Sequence, residues 1–316
     1  MNPYKSVTAF APATVANVSC GFDIMGFAIK GIGDKVTISL QSDIPDSPVI
    51  LSGNYGHLIP SERIKNTAGV AVNAFLKARG NSQLNVRIEL EKNMPLGSGM
   101  GSSASSSAAA VFALNHLLGC PLSVSELIPF AMEGERIACG AAHADNVAPA
   151  LLGGFVLIRS YSPLDIISVS CPDELFCTLV HPHIELQTID ARRILKNDIS
   201  MEDVVKQSAN AASFMVALLQ NDYNLLGRSM HDLLAEPKRT QLIPGFENAK
   251  HNALNAGAIG CGISGSGPSL FALCRSELTA NIVAKEIKKS FLDAGLESDT
   301  FISSLNAPGA CIVNTK

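Results

Sequence analysis

The sequence predicts an α+β fold in two parts, and three observations carry that reading. Segments of alternating hydrophobicity and segments of helical spacing are interleaved without a regular βαβ repeat. The texture shifts near Asp190, after which helix-like segments dominate. A length of 316 residues suits one large domain or two medium ones. The two parts are expected to join near residues 160–175, as domains of residues 1–165 and 166–316.

The elements follow in chain order. Ser6 to Ala11 and KVTISL (Lys35 to Leu40) read as strands. Between them, APATVANVSCGFDIMGFA holds so many small residues and turn formers that a loop is expected. Asn66 to Lys77 has helical spacing of Ala68, Ala71, Val72 and Phe75, closed by Gly80. LNVRIEL (Leu84 to Leu90) alternates as a half-buried strand. Ser103 to Leu118 predicts a helix ending at Gly119, and Ser125 to Cys139 a second. Gly153-Gly154 turns the chain into the strand FVLI. Leu164 to Val180 reads as two strands around Pro172. Helices are expected at Met201 to Leu219, Leu225 to Leu233, Phe246 to Asn255 and Asn281 to Ala294, with ACIVN as a last strand.

A chain of this size buries roughly 75% of the surface its unfolded form exposes. The 47% of apolar residues can fill such a core without a metal or disulfide staple. The net charge is −4, and the closest basic run, KEIKK at 285–289, reads as a solvated helix face. Nucleic acid is therefore disfavoured as a partner, and the absence of Trp gives no stacking platform. No apolar run approaches the ~20 residues of a membrane span, and the N-terminus lacks a signal-peptide core. The eight cysteines form no CxxC pair and mostly sit among apolar residues, as in Ala310-Cys311-Ile312. They are expected to be free, buried thiols in a reducing compartment, and the protein is read as cytoplasmic.

One stretch demands chemistry. PLGSGMGSSAS alternates Gly97, Gly99 and Gly101 with small residues, then opens a helix with Ser102 and Ser103. Glycines permit positive φ and close approach of a ligand. A helix N-terminus presents unpaired N–H groups and the positive end of the dipole. Strand, glycine-rich loop, serine and helix together make an anion site, most often for phosphate. A flexible connection would need only one glycine. The loop is not a Walker A motif, because no Lys or Arg lies between Asn93 and Gly119. Its GxGxG spacing is not the dinucleotide fingerprint, and no kinase HRD or DFG counterpart exists. The missing cation points to magnesium, which takes hard oxygen ligands. Ser102 or Ser103 can supply a hydroxyl. Glu133 or Glu135 can supply a carboxylate, although on the residues alone an exposed helix face is the favoured reading of those two.

These residues resemble a family. PLGSGMGSSAS is similar to the PxxxGLGSSA phosphate loop of the GHMP kinases. APATVANVSCGFDIMGFA resembles their first motif, with Val18-Ser19-Cys20 in place of the usual Leu-Gly-x. GISGSGPSLFAL resembles the third, a second glycine-rich loop that packs beside the first. The three motifs span Ala11 to Leu273. HADNVAPALLGGF (His143 to Phe155) and HDLLAEPKR (His231 to Arg239) resemble the branch that phosphorylates L-homoserine. The resemblance implies an N-terminal α+β domain with a left-handed βαβ unit, a C-terminal ferredoxin-like α/β sandwich, and a nucleotide between them. It implies MgATP and L-homoserine as partners and allows a homodimer.

The resemblance also implies roles. Pro95, Gly97, Ser98, Gly99, Met100, Gly101, Ser102 and Ser103 would form the nucleotide loop, and Asn66 would line the purine pocket. Ser103 and Glu135 would hold Mg²⁺, with Glu133 a rival to Glu135. Homoserine is a zwitterion with a hydroxyl arm. Asn17, Asp23 and Asp145 suit its ammonium, and Arg192 and Arg239 suit its carboxylate. Any single arginine could equally be a surface ion pair. Asn146 occupies the neighbourhood where some family members place an aspartate base, but an amide cannot take a proton. That leaves the γ-phosphate itself or His143 as acceptor, although a lone histidine is usually structural.

Overall fold

A computed structural model describes residues 4–41, 47–140, 142–195 and 198–316. In chain order the first elements are β1 (Ser6–Ala16), β2 (Met25–Leu40), β3 (Ile50–Ser52), α1 (Thr67–Ala78) and β4 (Val86–Glu91). They are followed by α2 (Ser102–Leu117), α3 (Val124–Cys139), α4 (Val147–Leu152), β5 (Phe155–Tyr161) and β6 (Leu164–Val169). The remainder comprises β7 (Phe176–Pro182), α5 (Thr188–Arg193), α6 (Met201–Gln220), α7 (Tyr223–Ser229), α8 (Glu236–Arg239) and α9 (Phe246–Asn255). The chain closes with β8 (Gly260–Ile263), β9 (Leu270–Cys274), α10 (Glu277–Asp293), β10 (Ser298–Ser304) and β11 (Cys311–Thr315).

Among the described residues the strands form two sheets. The first, of seven strands, runs β11-β1-β2-β4-β3, with β5 pairing β2 and β6 pairing β5. β3 and β4 are parallel and joined through α1, which makes a βαβ unit. The junction expected at residues 165/166 falls inside β6, which pairs with β5, and β11 brings the end of the chain back onto β1. The second sheet is antiparallel in the order β10-β7-β9-β8. With helices between β7 and β8 and between β9 and β10, this is the ferredoxin-like βαββαβ arrangement. α9 and α10 cover one face of it through Phe246, Val283, Ile287 and Phe291. Its other face packs Leu179, Phe271 and Leu273 against Phe27 and Phe155 of the first sheet. The Phe27 and Phe271 rings meet edge-on, 6.1 Å apart.

Several expectations are corrected. The alanine-rich segment after Ala11 is mostly strand: β1 runs to Ala16, β2 starts at Met25, and only residues 17–24 form a loop. Burial explains it. From Pro12 to Ala16 every residue of β1 is buried, so small side chains are what fits beneath a helix. That helix is α2, whose own face is Ala104, Ser105, Ala108 and Ala109. Ser105 Oγ donates to the Ala11 carbonyl at 2.7 Å, tying α2 to β1. The helix expected over Leu225 to Leu233 ends at Ser229, because the Asp232 carboxylate accepts the N–H groups of Leu234, Ala235 and Glu236 and turns the chain. The second glycine-rich stretch is the β8–β9 hairpin. Cys20, Cys171, Cys177, Cys261 and Cys274 are free and buried, but Cys120 and Cys311 are exposed, the latter on the edge strand β11.

One buried ion pair ties the first sheet to α2. Lys92 follows β4 and its Nζ lies 2.5 Å from Asp34 Oδ2 of β2, with side-chain exposures of 2% and 0%. The same ammonium donates to the Ser102 carbonyl at 2.6 Å and to Ser106 Oγ at 2.9 Å. Asp34 Oδ1 accepts the N–H groups of Asn93 and Met94. Removing one partner of such a pair leaves an uncompensated buried charge. Lys92→Met is therefore expected to lower unfolding free energy in urea by about 3–5 kcal/mol; an unchanged midpoint would show that the pair is dispensable.

Candidate active site

A cavity of about 370 Å³ opens where the loop after β4 meets the ferredoxin-like unit. Its wall begins with the glycine-rich loop. Gly97, Gly99 and Gly101 have φ of +53°, +72° and +68°, the left-handed region that glycine favours. Space excludes a side chain as well: a Cβ on Gly99 would lie 2.4 Å from the Ser264 carbonyl oxygen, and one on Gly101 2.0 Å from Thr14 Oγ1. Gly101 caps α2 without a side-chain hydrogen bond, so the first N–H groups of α2 have no capping side chain.

The second unit holds this loop by its carbonyls. Gly97 O accepts from the Leu186 N–H at 2.9 Å. Ser98 O accepts from Ser269 Oγ at 2.6 Å, and Gly99 O from Ser264 Oγ at 2.7 Å. In a trans peptide the C=O and the following N–H point opposite ways. Three pinned carbonyls therefore fix the directions of the Ser98, Gly99 and Met100 N–H groups. The expected packing of the two glycine-rich loops against each other is present.

A second group of residues closes the other end of the cavity. The loop between β1 and β2 carries Asn17 and Asp23, both at positive φ. Asn17 Oδ1 accepts the Asp23 N–H at 2.9 Å, and Asn17 Nδ2 donates to the Gly265 carbonyl at 2.7 Å. Arg239, 3% exposed, donates to that same carbonyl at 2.9 Å. Arg192 Nη2 donates to Asp23 Oδ1 at 2.7 Å. Both guanidinium groups lie over the Phe22 ring, 5.5–5.6 Å from its centre. His143 Nδ1 lies 3.6 Å from Asp23 Oδ2. Burial lowers the His143 pKa, partly opposed by Asp23, so the ring is predominantly neutral at pH 7. Asp145 is buried, and its Oδ1 has no hydrogen-bond partner. Burial and the neighbouring Asp23 raise its pKa to about 7, against the pull of Arg192.

The cavity brings together almost every residue that the sequence singled out. Asn17, Asp23, His143, Asp145, Asn146, Arg192 and Arg239 line it, as do Gly97, Ser98, Gly99, Gly101, Ser102, Ser103 and Glu135. Glu133 turns outward and pairs with Arg136 through two contacts of 3.1 Å, which separates it from Glu135. Asn146 Oδ1 accepts from Thr14 Oγ1 at 2.7 Å beneath Gly101. Three of the residues expected at the nucleotide also have other contacts or positions. Met100 is fully buried in the core, and its carbonyl accepts the Thr14 N–H, so it anchors the loop from behind. Pro95 also stands outside the cavity wall. Asn66 is in the wall, but its side chain caps α1, accepting from Ala68 and Gly69 and donating to Pro60 O. Leu58, Ile59 and Pro60 line the cavity with apolar side chains as well. The sequence reading missed Lys92, one residue outside the stretch searched for a cation, and Lys65, which stands on the cavity wall.

Comparison with known proteins agrees with this geometry. Residues 66–154 match the GHMP kinase N-terminal domain and residues 214–293 the GHMP kinase C-terminal domain. The chain belongs to the GHMP kinases, in the homoserine kinase group. It is 50% identical to the homoserine kinase of Chloroherpeton thalassium over 98% of this chain and 100% of that one. It is 49% identical to that of Chlorobium phaeobacteroides over the same shares. The crystal structure of homoserine kinase from Cytophaga hutchinsonii superposes with a TM-score of 0.94 at 47% identity, covering 99% of both chains. No described helix is long and apolar enough to cross a membrane.

The raised pKa of Asp145 has a sign that can be measured. The folded state keeps its proton to about pH 7, whereas the unfolded value is 3.8. Between those values the folded state binds the extra proton, so this group's contribution to stability falls as pH rises from about 4 to 7. Urea unfolding of the ligand-free protein across that range should show a smaller stability loss with pH in Asp145→Asn than in the wild type. Parallel curves would contradict the assignment.

Proposed function

We propose that this chain transfers the γ-phosphoryl group of ATP to the side-chain hydroxyl of L-homoserine, giving O-phospho-L-homoserine for threonine biosynthesis. The supporting observation is the pairing of two binding chemistries in one cavity: a glycine-loop helix terminus suited to phosphate, and a cluster of acids and arginines suited to a zwitterion. The γ-phosphorus would form a bond to the hydroxyl oxygen as its bond to the β–γ bridging oxygen breaks, with ADP leaving. The N–H groups of residues 99–103 and the α2 dipole would take the developing charge on the phosphate oxygens. The hydroxyl proton would pass to a phosphate oxygen or to His143, whose neutral ring can accept it.

Ser103 and Glu135 stand on the same wall, one at the start of α2 and one on α3. Their hydroxyl and carboxylate oxygens fit a magnesium ion, which would draw on phosphate and water for the rest of its shell and neutralise phosphate charge. Asp23 and Asp145 would hold the substrate ammonium, and Arg192 and Arg239 its carboxylate. ATP and a free amino acid are cytoplasmic metabolites, so the cytoplasm is the proposed site of action.

ADP release from MgATP should occur with L-homoserine and stop with EDTA, while mevalonate, galactose and L-serine give little. Arg192→Ala should raise KM for L-homoserine about 10- to 100-fold, the value of a charged hydrogen bond, and leave KM for MgATP within about twofold. Turnover with another alcohol instead would keep the family and remove the amino-acid site. ATP binding without any turnover would favour a non-catalytic nucleotide-binding protein.

A further inference from the structure

The chain of contacts that fixes the nucleotide loop extends one residue further into the ferredoxin-like sheet. His181 stands near the end of β7, 4% exposed. Its Nδ1 lies 3.1 Å from Ser269 Oγ, and that hydroxyl lies 2.6 Å from the Ser98 carbonyl oxygen. A hydroxyl has one hydrogen, and a carbonyl can only accept. The Ser269 hydrogen is therefore committed to Ser98 O. The Nδ1 of His181 must then carry a hydrogen and donate it to Ser269 Oγ. Burial pushes the His181 pKa down to about 4, with His183 adding to the shift and Asp299 opposing it. At neutral pH the ring is uncharged, and the contact depends on which tautomer it adopts.

We propose that His181 is a positioning residue for nucleotide binding: as the Nδ1–H tautomer it locks the Ser269 hydroxyl onto the Ser98 carbonyl, and thereby sets the direction of the Gly99 N–H. The peptide plane transmits the constraint, since Ser98 C=O and Gly99 N–H belong to one rigid unit. Ser98 lies between two glycines at positive φ, where the backbone itself supplies little restraint. Without a donor at position 181, the Ser269 hydroxyl is free to rotate away from Ser98, whose carbonyl then keeps only the longer, 3.3 Å contact from the Ser269 N–H. His181 lies outside the residues lining the cavity, so its influence on nucleotide would be indirect.

This inference rests on the proposed MgATP site but not on the identity of the acceptor. The test uses the full chain in four forms: His181→Leu, His181→Asn, Ser269→Ala and the His181→Leu/Ser269→Ala double variant. An Asn amide places an N–H near the position of Nδ1, whereas Leu offers none. The dissociation constant of MgATP is measured by calorimetry without acceptor, alongside KM for MgATP and L-homoserine. His181→Leu is expected to weaken MgATP about three- to tenfold, the worth of one neutral hydrogen bond, with KM for L-homoserine within about twofold. His181→Asn should restore wild-type affinity. Ser269→Ala should weaken binding at least as much as His181→Leu. The double variant should then be no worse than Ser269→Ala, because both act through one contact. Unchanged affinity in His181→Leu, equal impairment in Leu and Asn, or additive losses in the double variant would each overturn the proposal. Should His181→Leu fail to fold, His181→Phe, which keeps a ring in that place and offers no donor, replaces it with the same expectation. Failure of the wild type to phosphorylate L-homoserine would count against the acceptor assignment alone, because the MgATP measurement needs no acceptor.

Discussion

The site depends first on a charge buried beneath it. Lys92 and Asp34 are both sealed from solvent, and between them they touch the end of β4, the middle of β2 and the first turn of α2. A lysine ammonium has three hydrogens, and here each has an acceptor: Asp34, the Ser102 carbonyl and Ser106 Oγ. Full satisfaction is what lets a charge persist in a core. The position of the pair matters more than its net energy. The contact to Ser102 O holds the residue where a phosphate would meet the helix. The contacts of Asp34 to the N–H groups of Asn93 and Met94 fix where the loop leaves the strand. The charge itself is spent on Asp34, so the loop above is held by a lysine while its electrostatics remain those of backbone N–H groups and a helix dipole.

The upper side of the loop is held differently. Its carbonyls face the ferredoxin-like unit and are taken by Leu186, Ser269 and Ser264. Polar groups that would otherwise compete with a phosphate are thereby turned away from it. The same hairpin serves the other half of the cavity, because Gly265 O accepts from both Asn17 and Arg239. Residues from the β1–β2 loop, α8 and the β8–β9 hairpin thus share one anchor. Phosphate-facing and acid-base-rich walls cannot shift independently, which is what phosphoryl transfer demands of a protein that contributes mainly position.

Much of this was legible in the sequence, and the failures have physical causes. The strands and helices flanking the glycine loop were readable because their periodicities are strong: β4 alternates, and α2 starts at a serine and ends beside a glycine. The half of β1 from Pro12 to Ala16 was unreadable as a strand because it is buried on both faces and has no alternation to detect. The loop's glycines were readable because positive φ has few alternatives. Lys92 was not, because in sequence it is simply the residue after a strand and its role exists only when β2 brings Asp34 beneath it. Asn66 lines the wall where it was expected, and its side chain also caps α1, as an asparagine before a helix does. Glu133 and Glu135 could not be separated by spacing. The fold separates them by giving Glu133 a partner in Arg136 and turning Glu135 inward.

The charge balance of the inner wall explains why a zwitterion suits it. Asp23 and Arg192 are already paired, Arg239 is buried on a carbonyl, and Asp145 sits beside them with a proton held by desolvation. With Asp145 ionised the four groups balance, two acids against two arginines, and a ligand with net charge would then leave one charge uncompensated in a poorly solvated place, at the cost that burial imposes on unpaired ions. A ligand carrying one ammonium and one carboxylate adds no net charge. It can insert its carboxylate at the arginines and its ammonium at the acids, replacing the Asp23–Arg192 contact by two contacts of the same kind. The ammonium would also stabilise the ionised form of Asp145, so substrate binding and loss of that proton favour one another. An uncharged polyol offers neither exchange, and would have to occupy the wall while leaving its ion pair in place.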